Sequence, residues 1–360
     1  MVLIIALATL LLGVVTLLPF SRHPHWLIRG ADFPRLQFAL MAIALLLAQL
    51  MFLDSSATGT RLLMGVTALC LGYQLWWILP YTPLWPQEVQ TARNRCAERQ
   101  LSILTSNVLT PNRNAAALLA LVNQHQPDVL VTLESDQWWQ EQLAELESVM
   151  PYTIQCPLDN LYGMHVYSRL PLADTEIAFL VEDDVPSMHA RLSLRSGDSV
   201  RMHFLHPAPP SPTENPESTE RDAELVMVAR SIANSDQPVI LTGDLNDVAW
   251  SPTTRLFRKI SGLLDPRIGR GMFNTFNAKY PFLRWPLDHL FHSEHFTVES
   301  IQRLPPIGSD HFALLTCLLY TPVAGLKQSG LSANSEDRSW AQSIVDDQSV
   351  SKADVPEPGE

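Results

Sequence analysis

The 360-residue chain is poor in charge: Asp, Glu, Lys and Arg make up 17% of it, against 46% hydrophobic residues. That balance points to a portion embedded in a membrane. Cysteine is scarce too. Of the four, Cys70 falls inside an apolar run, and Cys96, Cys156 and Cys317 form an odd set without metal-ligand spacing. This pattern does not indicate a disulfide framework. Positive charge is also short. Residues 91–321 carry 18 Lys and Arg against 27 Asp and Glu, a net of −9. Such a surface does not suit a protein that holds long nucleic acid by broad phosphate neutralisation, although a local basic cleft stays open. No internal repeat is present.

What the chain does have is three uncharged apolar runs, at residues 2–20, 36–53 and 62–79. Each is about 18 residues or longer, enough to cross a hydrocarbon core as a helix. Trp26, Trp76, Trp77, Tyr81 and Trp85 lie at their ends, where amphipathic rings favour the interface. The first run has no basic segment before it, so it does not read as a signal peptide. The expected organisation is a three-helix membrane anchor over 1–80, a linker over 81–99, a globular domain over 100–321 and a disordered acidic tail over 322–360. Three crossings put residues 21–35 and residues 80 onward on one side. Arg22, Arg29 and Arg35 there, with Arg93, Arg95 and Arg99 further on, outnumber Arg61 opposite, which points that side to the cytoplasm.

Within 100–321, strands and helices alternate. "LSILTSNVL" and "DVLVTLE" read as strands, with a helix over 114–125 between them and another over 138–150 after them. "GMHVYSRLPL" is a strand running into a turn, and "HARLSLRSGDSVRMHFLH" is a hairpin turning at Ser-Gly-Asp. A helix over 219–233 opens on Thr219 and Asp222 in a capping-box pattern. "PVILTGDLNDVAW" is a strand, followed by a helix over 253–260, and "PLDHLFHS" and "FALLTCLLY" are late strands. This mixture predicts an α/β fold with some antiparallel pairing.

Several of these strands end in residues of catalytic type. Asn107 closes the first and Glu134 the second. His206 closes the hairpin, and Asp244 and Asn246 close the strand in "PVILTGDLNDVAW". Asp310 and His311 precede the last strand, and Asp288 opens "DHLF". Strand ends of open α/β sheets share a crevice. Carboxylates, carboxamides and imidazoles gathered there suit phosphoester hydrolysis. Glu134, with Asn107 beside it, offers a firm contact to a hard cation. Asp244 can orient or deprotonate a water, and Asn246 can hydrogen-bond the phosphate. His311 and His206 can donate to phosphate oxygens or move protons. Asp288 is a partner that would fix the tautomer of His311.

In order and spacing, "SNV", "VTLES", "YGMHVYSRLPL", "LHP", "GDLND", "PLDHLF" and "SDH" resemble the motifs of the endonuclease/exonuclease/phosphatase superfamily. The likeness covers residues 101–319, with Leu205 where the family has Thr before its histidine. It implies a four-layered α/β sandwich with two central mixed sheets, and Mg²⁺- or Mn²⁺-dependent cleavage of a phosphodiester or phosphomonoester. It implies a metal role for Glu134, Asn107 and Asp310, and catalytic roles for His206, Asp244, Asn246, Asp288 and His311. Tyr162, Tyr167 and His165 compete for a phosphate-contacting position. The preceding apolar runs resemble a bacterial membrane-anchored subgroup, which implies a multi-pass protein of the inner membrane; some relatives place the enzyme outside the cytoplasm.

The expected partners are a phosphate-ester substrate and the lipid bilayer, with nucleic acid disfavoured by the acidic domain and no protein partner identifiable. Nucleic acid, a phospholipid headgroup and a soluble phosphorylated metabolite all compete as substrate. In "NTFNAKYPFLRWPL", Phe276, Lys279, Tyr280, Phe282, Arg284 and Trp285 could form a membrane-facing loop. The contrasting reading is a non-catalytic membrane-anchored binding module on the same fold.

Overall fold

The computed structural model describes residues 1–93, 96–233 and 235–358; Arg95, counted above for orientation, lies outside them. The chain opens with α1 (Val2–Leu17), a short α2 (Trp26–Arg29), α3 (Arg35–Phe52) and α4 (Thr58–Ile78). α1, α3 and α4, with their flanking turns, are long and apolar enough to cross a membrane. Their packing is inverted relative to a water-soluble bundle. Polar side chains meet inside: Gln49 Nε2 donates to Thr9 Oγ1 at 3.0 Å and to Thr67 Oγ1 at 2.9 Å, and Gln74 Nε2 donates to Thr16 Oγ1 at 3.0 Å. Large apolar side chains such as Leu10, Leu47 and Leu69 face outward.

The following elements, in chain order, are β1 (Gln100–Asn107), α5 (Ala115–His125), β2 (Val129–Leu133), α6 (Gln137–Leu143), β3 (Tyr152–Cys156), β4 (Met164–Ser168), β5 (Leu172–Ala178), β6 (Ser187–Ser193), β7 (Ser199–Leu205), α7 (Thr219–Ile232), β8 (Val239–Asp244), α8 (Pro252–Ser261), β9 (Asp288–His292), β10 (Phe296–Arg303), β11 (Leu314–Tyr320) and α9 (Ser335–Gln348). Local chemistry sets several boundaries. The Ser251 side chain caps α8 by accepting from Thr254 N, Pro252 occupies its first turn, and Gly262 ends it at φ +73°. All three choices suit the unpaired backbone groups of a helix end. β2 is buried at every residue, hence its unbroken apolar reading.

Two mixed sheets form, ordered β10-β11-β1-β2-β4-β3 and β5-β6-β7-β8-β9. Apolar side chains of both sheets, including Ile103, Val131, Met202 and Ile240, fill the space between them. α5 and α6 cover the outer face of the first sheet, and α7 and α8 that of the second. The result is a four-layered α/β sandwich. Its topology gathers the strand ends. β1 and β2 are parallel, as are β7 and β8, so each pair ends at one edge of its sheet. β9 and β11 run antiparallel to β8 and β1, so their beginnings lie at those same edges. A Thr105–Thr242 hydroxyl contact of 2.8 Å ties β1 to β8 across the interior.

The structure adds β3, β5 and β10, which the sequence reading did not assign, and departs from that reading elsewhere. The helix expected over 138–150 ends as α6 at Leu143 and continues as a 3₁₀ turn, Ala144–Ser148. α7 has Ser218 as its N-cap, without a side-chain capping bond. Its Asp222 instead accepts from Arg29 NH2 at 3.2 Å and Arg221 NH2 at 2.8 Å, because buried cations outcompete a capping role. The residues read as a linker pack on the domain: Val89 sits in the central core, and Arg258 pairs with Glu88. The tail is not wholly disordered either. α9 starts with a reciprocal Asn334–Asp337 capping box and seats Ala341 and Val345 on Val226 of α7 and Leu256 of α8. The apolar stripe of Trp340, Ala341, Ile344 and Val345 recurs at helical spacing within an otherwise polar segment, and composition alone hides it.

Candidate active site

At the end of β1, the Asn107 carboxamide is fully buried and aimed inward. Its Nδ2 donates to Glu134 Oε1 at 2.7 Å and to Asp244 Oδ2 at 3.3 Å, while its Oδ1 accepts from Leu109 N at 3.0 Å. Thus Asn107 bridges carboxylates of the two sheets. Glu134 follows β2 with φ +56°, a left-handed conformation that turns its side chain back over the strand ends. Thr110 Oγ1 holds that turn by donating to Glu134 O at 2.8 Å. Burial pushes the Glu134 carboxyl up to about 7, against the opposing effects of the Asn107 hydrogen bond and His311.

The second sheet supplies Asp244, Asp288 and His206. Gly243, just before Asp244, has φ +155°, and an added Cβ would lie 1.8 Å from Leu205 O. The glycine therefore lets β8 pass β7 closely where the catalytic-type residues emerge. Asp244 Oδ1 accepts from Asn246 N at 2.9 Å. Asn246 is left-handed at φ +52°; its Nδ2 donates to Pro207 O at 3.0 Å, and its carbonyl accepts from Arg221 NH1 at 2.7 Å. Asp288 faces Asp244 across the β8–β9 ladder.

His311 lies between these two acids. Its Nδ1 is 2.7 Å from Asp288 Oδ2 and its Nε2 is 3.4 Å from Asp244 Oδ2. Burial alone would lower its pKa, but the two carboxylates outweigh it and raise the imidazole to about 10. His311 is therefore an imidazolium at neutral pH. His206 is the opposite case: burial lowers it to about 4, so it is neutral, and its Nδ1 has no partner. Tyr162 packs on His206 with ring centroids 5.5 Å apart. Of the three aromatic candidates it is the one beside the cluster; His165 and Tyr167 are buried within β4. Asp310 lines the same cleft, with its carbonyl accepting from Ala278 N at 2.6 Å.

The residues fit a divalent cation. Glu134 Oε2 is buried with no hydrogen-bond partner, an expensive state for a carboxylate oxygen unless a cation or donor meets it. Asp244, Asp288 and His311 also offer ligand atoms within 4.8 Å of one another, and there Asp288 Oδ1 is likewise buried without a partner, while its Oδ2 meets His311 Nδ1. Glu134 and the Asp244–Asp288–His311 group thus both carry an unpartnered buried carboxylate oxygen able to meet a cation. Asn107, expected as a ligand, donates to the Glu134 carboxylate in this structure.

A model of the "Endonuclease/Exonuclease/phosphatase family" matches residues 104–311, more than half of the chain. The chain belongs to that family. The match begins inside β1 and ends at His311, so the cluster lies within it. Among solved structures, the human Nocturnin catalytic domain with bound sulfate is similar with a TM-score of 0.51 at 17% identity, covering 62% of this chain and 96% of that one. TDP2 of D. rerio complexed with a single-strand DNA product gives a TM-score of 0.50 at 18% identity, covering 61% and 98%. A family protein of Beutenbergia cavernae gives 0.50 at 18%, covering 62% and 72%. These likenesses carry the fold. No curated protein matches the chain.

Two contributors to the site were not singled out as such from sequence. Arg221 supports the Asn246 carbonyl from α7, and its ion pair with Asp222 gives no sequence pattern. Residues 26–34, between the first two apolar helices, form part of the cleft wall through Trp26, Arg29 and Phe33. Tryptophan beside an apolar run was the available signal, and it was read only as an interface marker.

Proposed function

We propose that this family member is a membrane-anchored, divalent-metal-dependent phosphoester hydrolase. The carrying observation is the buried Asp288–His311–Asp244 chain set beside the unpartnered Glu134 oxygen. Glu134 would hold Mg²⁺ or Mn²⁺, with Asp310 on the same cleft as a further candidate ligand. A cation there polarises the phosphoryl oxygens and offsets their developing charge. The protein's own groups account for the remaining steps. Asp244, whose carboxyl is raised by burial, accepts a proton from the attacking water. The water oxygen forms the new P–O bond as the bond to the ester oxygen breaks. His311 donates to the phosphoryl oxygens and supplies the proton taken up by the departing oxygen, and Asp244 can return a proton to it across 3.4 Å. Asp288 keeps that ring charged and aligned. His206 donates from a neutral ring, and the second Asn246 amide hydrogen is free of Pro207.

The anchor reading is supported by the helices' length and by their polar-inside, apolar-outside packing, which suits lipid as the surrounding solvent. The test is hydrolysis of bis-p-nitrophenyl phosphate by the full-length protein in detergent, with Mg²⁺ or Mn²⁺. Chelator and Glu134→Gln should each lower the rate at least about a hundredfold. Wild-type activity equal to that of Asp244→Ala would leave the chain a binding module.

A further inference from the structure

The cleft above the catalytic cluster has a volume of about 740 Å³. Its floor is polar, formed by Glu134, Asn246, Asp310 and His311. Its walls come from three places and are largely apolar. One is the segment between the first two apolar helices, with Trp26, Phe33 and Pro34. A second is the loop before β9, with Phe276, Leu283 and Trp285. A third carries Leu161 and two prolines. Pro34 immediately precedes α3, so the wall of the site is continuous with a helix of membrane-crossing length.

The loop before β9 is tied to that helix as well. Gln37 Nε2, in the first turn of α3, donates to Phe282 O at 2.8 Å. Beside this bond the loop projects apolar side chains into open space: Phe282 is 86% exposed, Tyr280 61% and Leu283 48%. A projecting apolar cluster at the head of such a helix meets the bilayer interface if the helix spans. The charges in the cleft point the same way. Among the described lining residues, Arg29 is the one arginine and no lysine is present. Arg29 is buried and paired with Asp222, while Glu134, Glu214 and Asp310 are acidic. A nucleic-acid strand brings a phosphate with every nucleotide and needs cations along its track. Lys279 and Arg284 of the 276–285 loop are not among the lining residues, so His311 in the floor is the cationic partner offered, which suits one phosphate flanked by apolar groups.

We infer that the cleft opens at the membrane surface and that its substrate is the phosphate ester of a membrane lipid, taken from the bilayer with residues 26–34 and 276–285 as walls. This inference rests on the hydrolase reading above and narrows it to one substrate class. Water adds its oxygen to the lipid phosphorus, one ester P–O bond breaks, and the departing oxygen takes up a proton; no further reactant is needed.

The test uses the full-length protein reconstituted with Mg²⁺ into vesicles of phosphatidylethanolamine, phosphatidylglycerol and phosphatidate. All phosphorus species are followed by ³¹P NMR, and bis-p-nitrophenyl phosphate and a single-stranded oligonucleotide are assayed in parallel. The expected result is conversion of a vesicle lipid. Phe282→Glu should lower that rate about tenfold more than it lowers the soluble-diester rate. Turnover of the soluble diester with every lipid untouched, or a kcat/KM higher for the oligonucleotide than for any lipid, overturns the inference and leaves the hydrolase reading standing. An equal response of both rates to Phe282→Glu removes the loop from substrate capture and overturns the membrane-surface assignment. Loss of all three activities in the wild type defeats the hydrolase reading itself.

Discussion

Asp288→Asn isolates the step on which the mechanism leans hardest. The substitution keeps the size of a side chain that is fully buried and removes only its charge. In the folded protein Asp288 Oδ2 holds His311 Nδ1 at 2.7 Å, while the other support, Asp244 Oδ2, stands 3.4 Å from Nε2. The closer contact is the stronger, and a charge-assisted hydrogen bond contributes about 1.5–3 kcal/mol. If that bond sustains the imidazolium in the transition state, its loss raises the barrier by the same amount. At about 1.36 kcal/mol per decade this is roughly a 10- to 150-fold fall in kcat.

The assay is steady-state hydrolysis of bis-p-nitrophenyl phosphate at saturating Mg²⁺, with circular dichroism to show that the variant folds. KM should stay within about twofold, because Asp288 touches the substrate only through His311. A double-mutant cycle gives the decisive comparison. Once His311→Ala has removed the ring, Asp288→Asn should cost nothing further, so the double variant should match His311→Ala. If the two losses multiply, Asp288 acts independently of His311. If Asp288→Asn alone retains wild-type kcat, the carboxylate–imidazolium chain is not part of the chemistry. Either result refutes the mechanism as drawn.

Two further predictions concern the scaffold. Gly243→Ala would set a methyl 1.8 Å from Leu205 O in the β7–β8 ladder; strain and overpacking together should destabilise the domain by about 2–6 kcal/mol, and unchanged thermal unfolding would contradict the close approach. Glu224 on α7 is buried with Oε1 unpartnered, and burial, with Glu182 adding to it, raises its carboxyl to about 8. Its proton therefore favours the folded state, so its contribution is full below about pH 4.5 and is lost as pH rises to about 8. Glu224→Gln should gain on the wild type across that window by up to about 1.4 kcal/mol per pH unit, read as Tm at pH 5 and pH 8; a constant difference would exclude the effect.

Legibility differed by the kind of signal each part left in the chain. Buried parallel strands such as β2 show as unbroken apolar runs, and the polar residues ending them stand out for that reason. Asn107, Glu134, His206 and Asp244 were visible for that reason, and Asp288 and His311, which precede antiparallel pairings, through the motifs "PLDHLF" and "SDH". Three of the four edge strands, β3, β5 and β10, went unassigned: β5, "LADTEIA", has no buried residue, so its alternation is weak. α9 was hidden by composition, since four apolar residues at helical spacing weigh little among serines and acids. The hydrogen bonds from Asn107 to Glu134 and Asp244 were also invisible, because they depend on which amide atom faces which carboxylate. The hardest feature to see was the wall built from residues 26–34. It requires knowing that a segment about 200 residues from Asn246 folds back onto it, and local pattern carries no such information.

That fold-back constrains topology. Residues 24–32 bond directly to the catalytic domain: Trp26 N donates to Pro216 O at 2.9 Å, Ser218 N to Pro24 O at 2.9 Å, and Trp250 Nε1 to Asp32 O at 2.8 Å. α3 and α4 lie between this segment and the domain in sequence, and two crossings return the chain to the side it left. At about 1.5 Å per residue, the 18 residues of α3 and 21 of α4 reach roughly 27 and 31 Å, close to the hydrocarbon thickness. The contacts and the lengths thus agree with spanning. The charge count that pointed this side to the cytoplasm loses force, because Arg29 and Arg35 are buried against Asp222 and Asp32 and Arg22 pairs with Glu336 at 2.9 Å. Labelling reads the topology directly. In a chain freed of its own cysteines, Ser55→Cys in the α3–α4 turn and Glu145→Cys on the domain should react with an impermeant thiol reagent from opposite faces of the membrane. Reaction of both from the same face would mean that α3 and α4 do not cross, and the lipid-facing cleft would fall with them while the hydrolytic cluster stood.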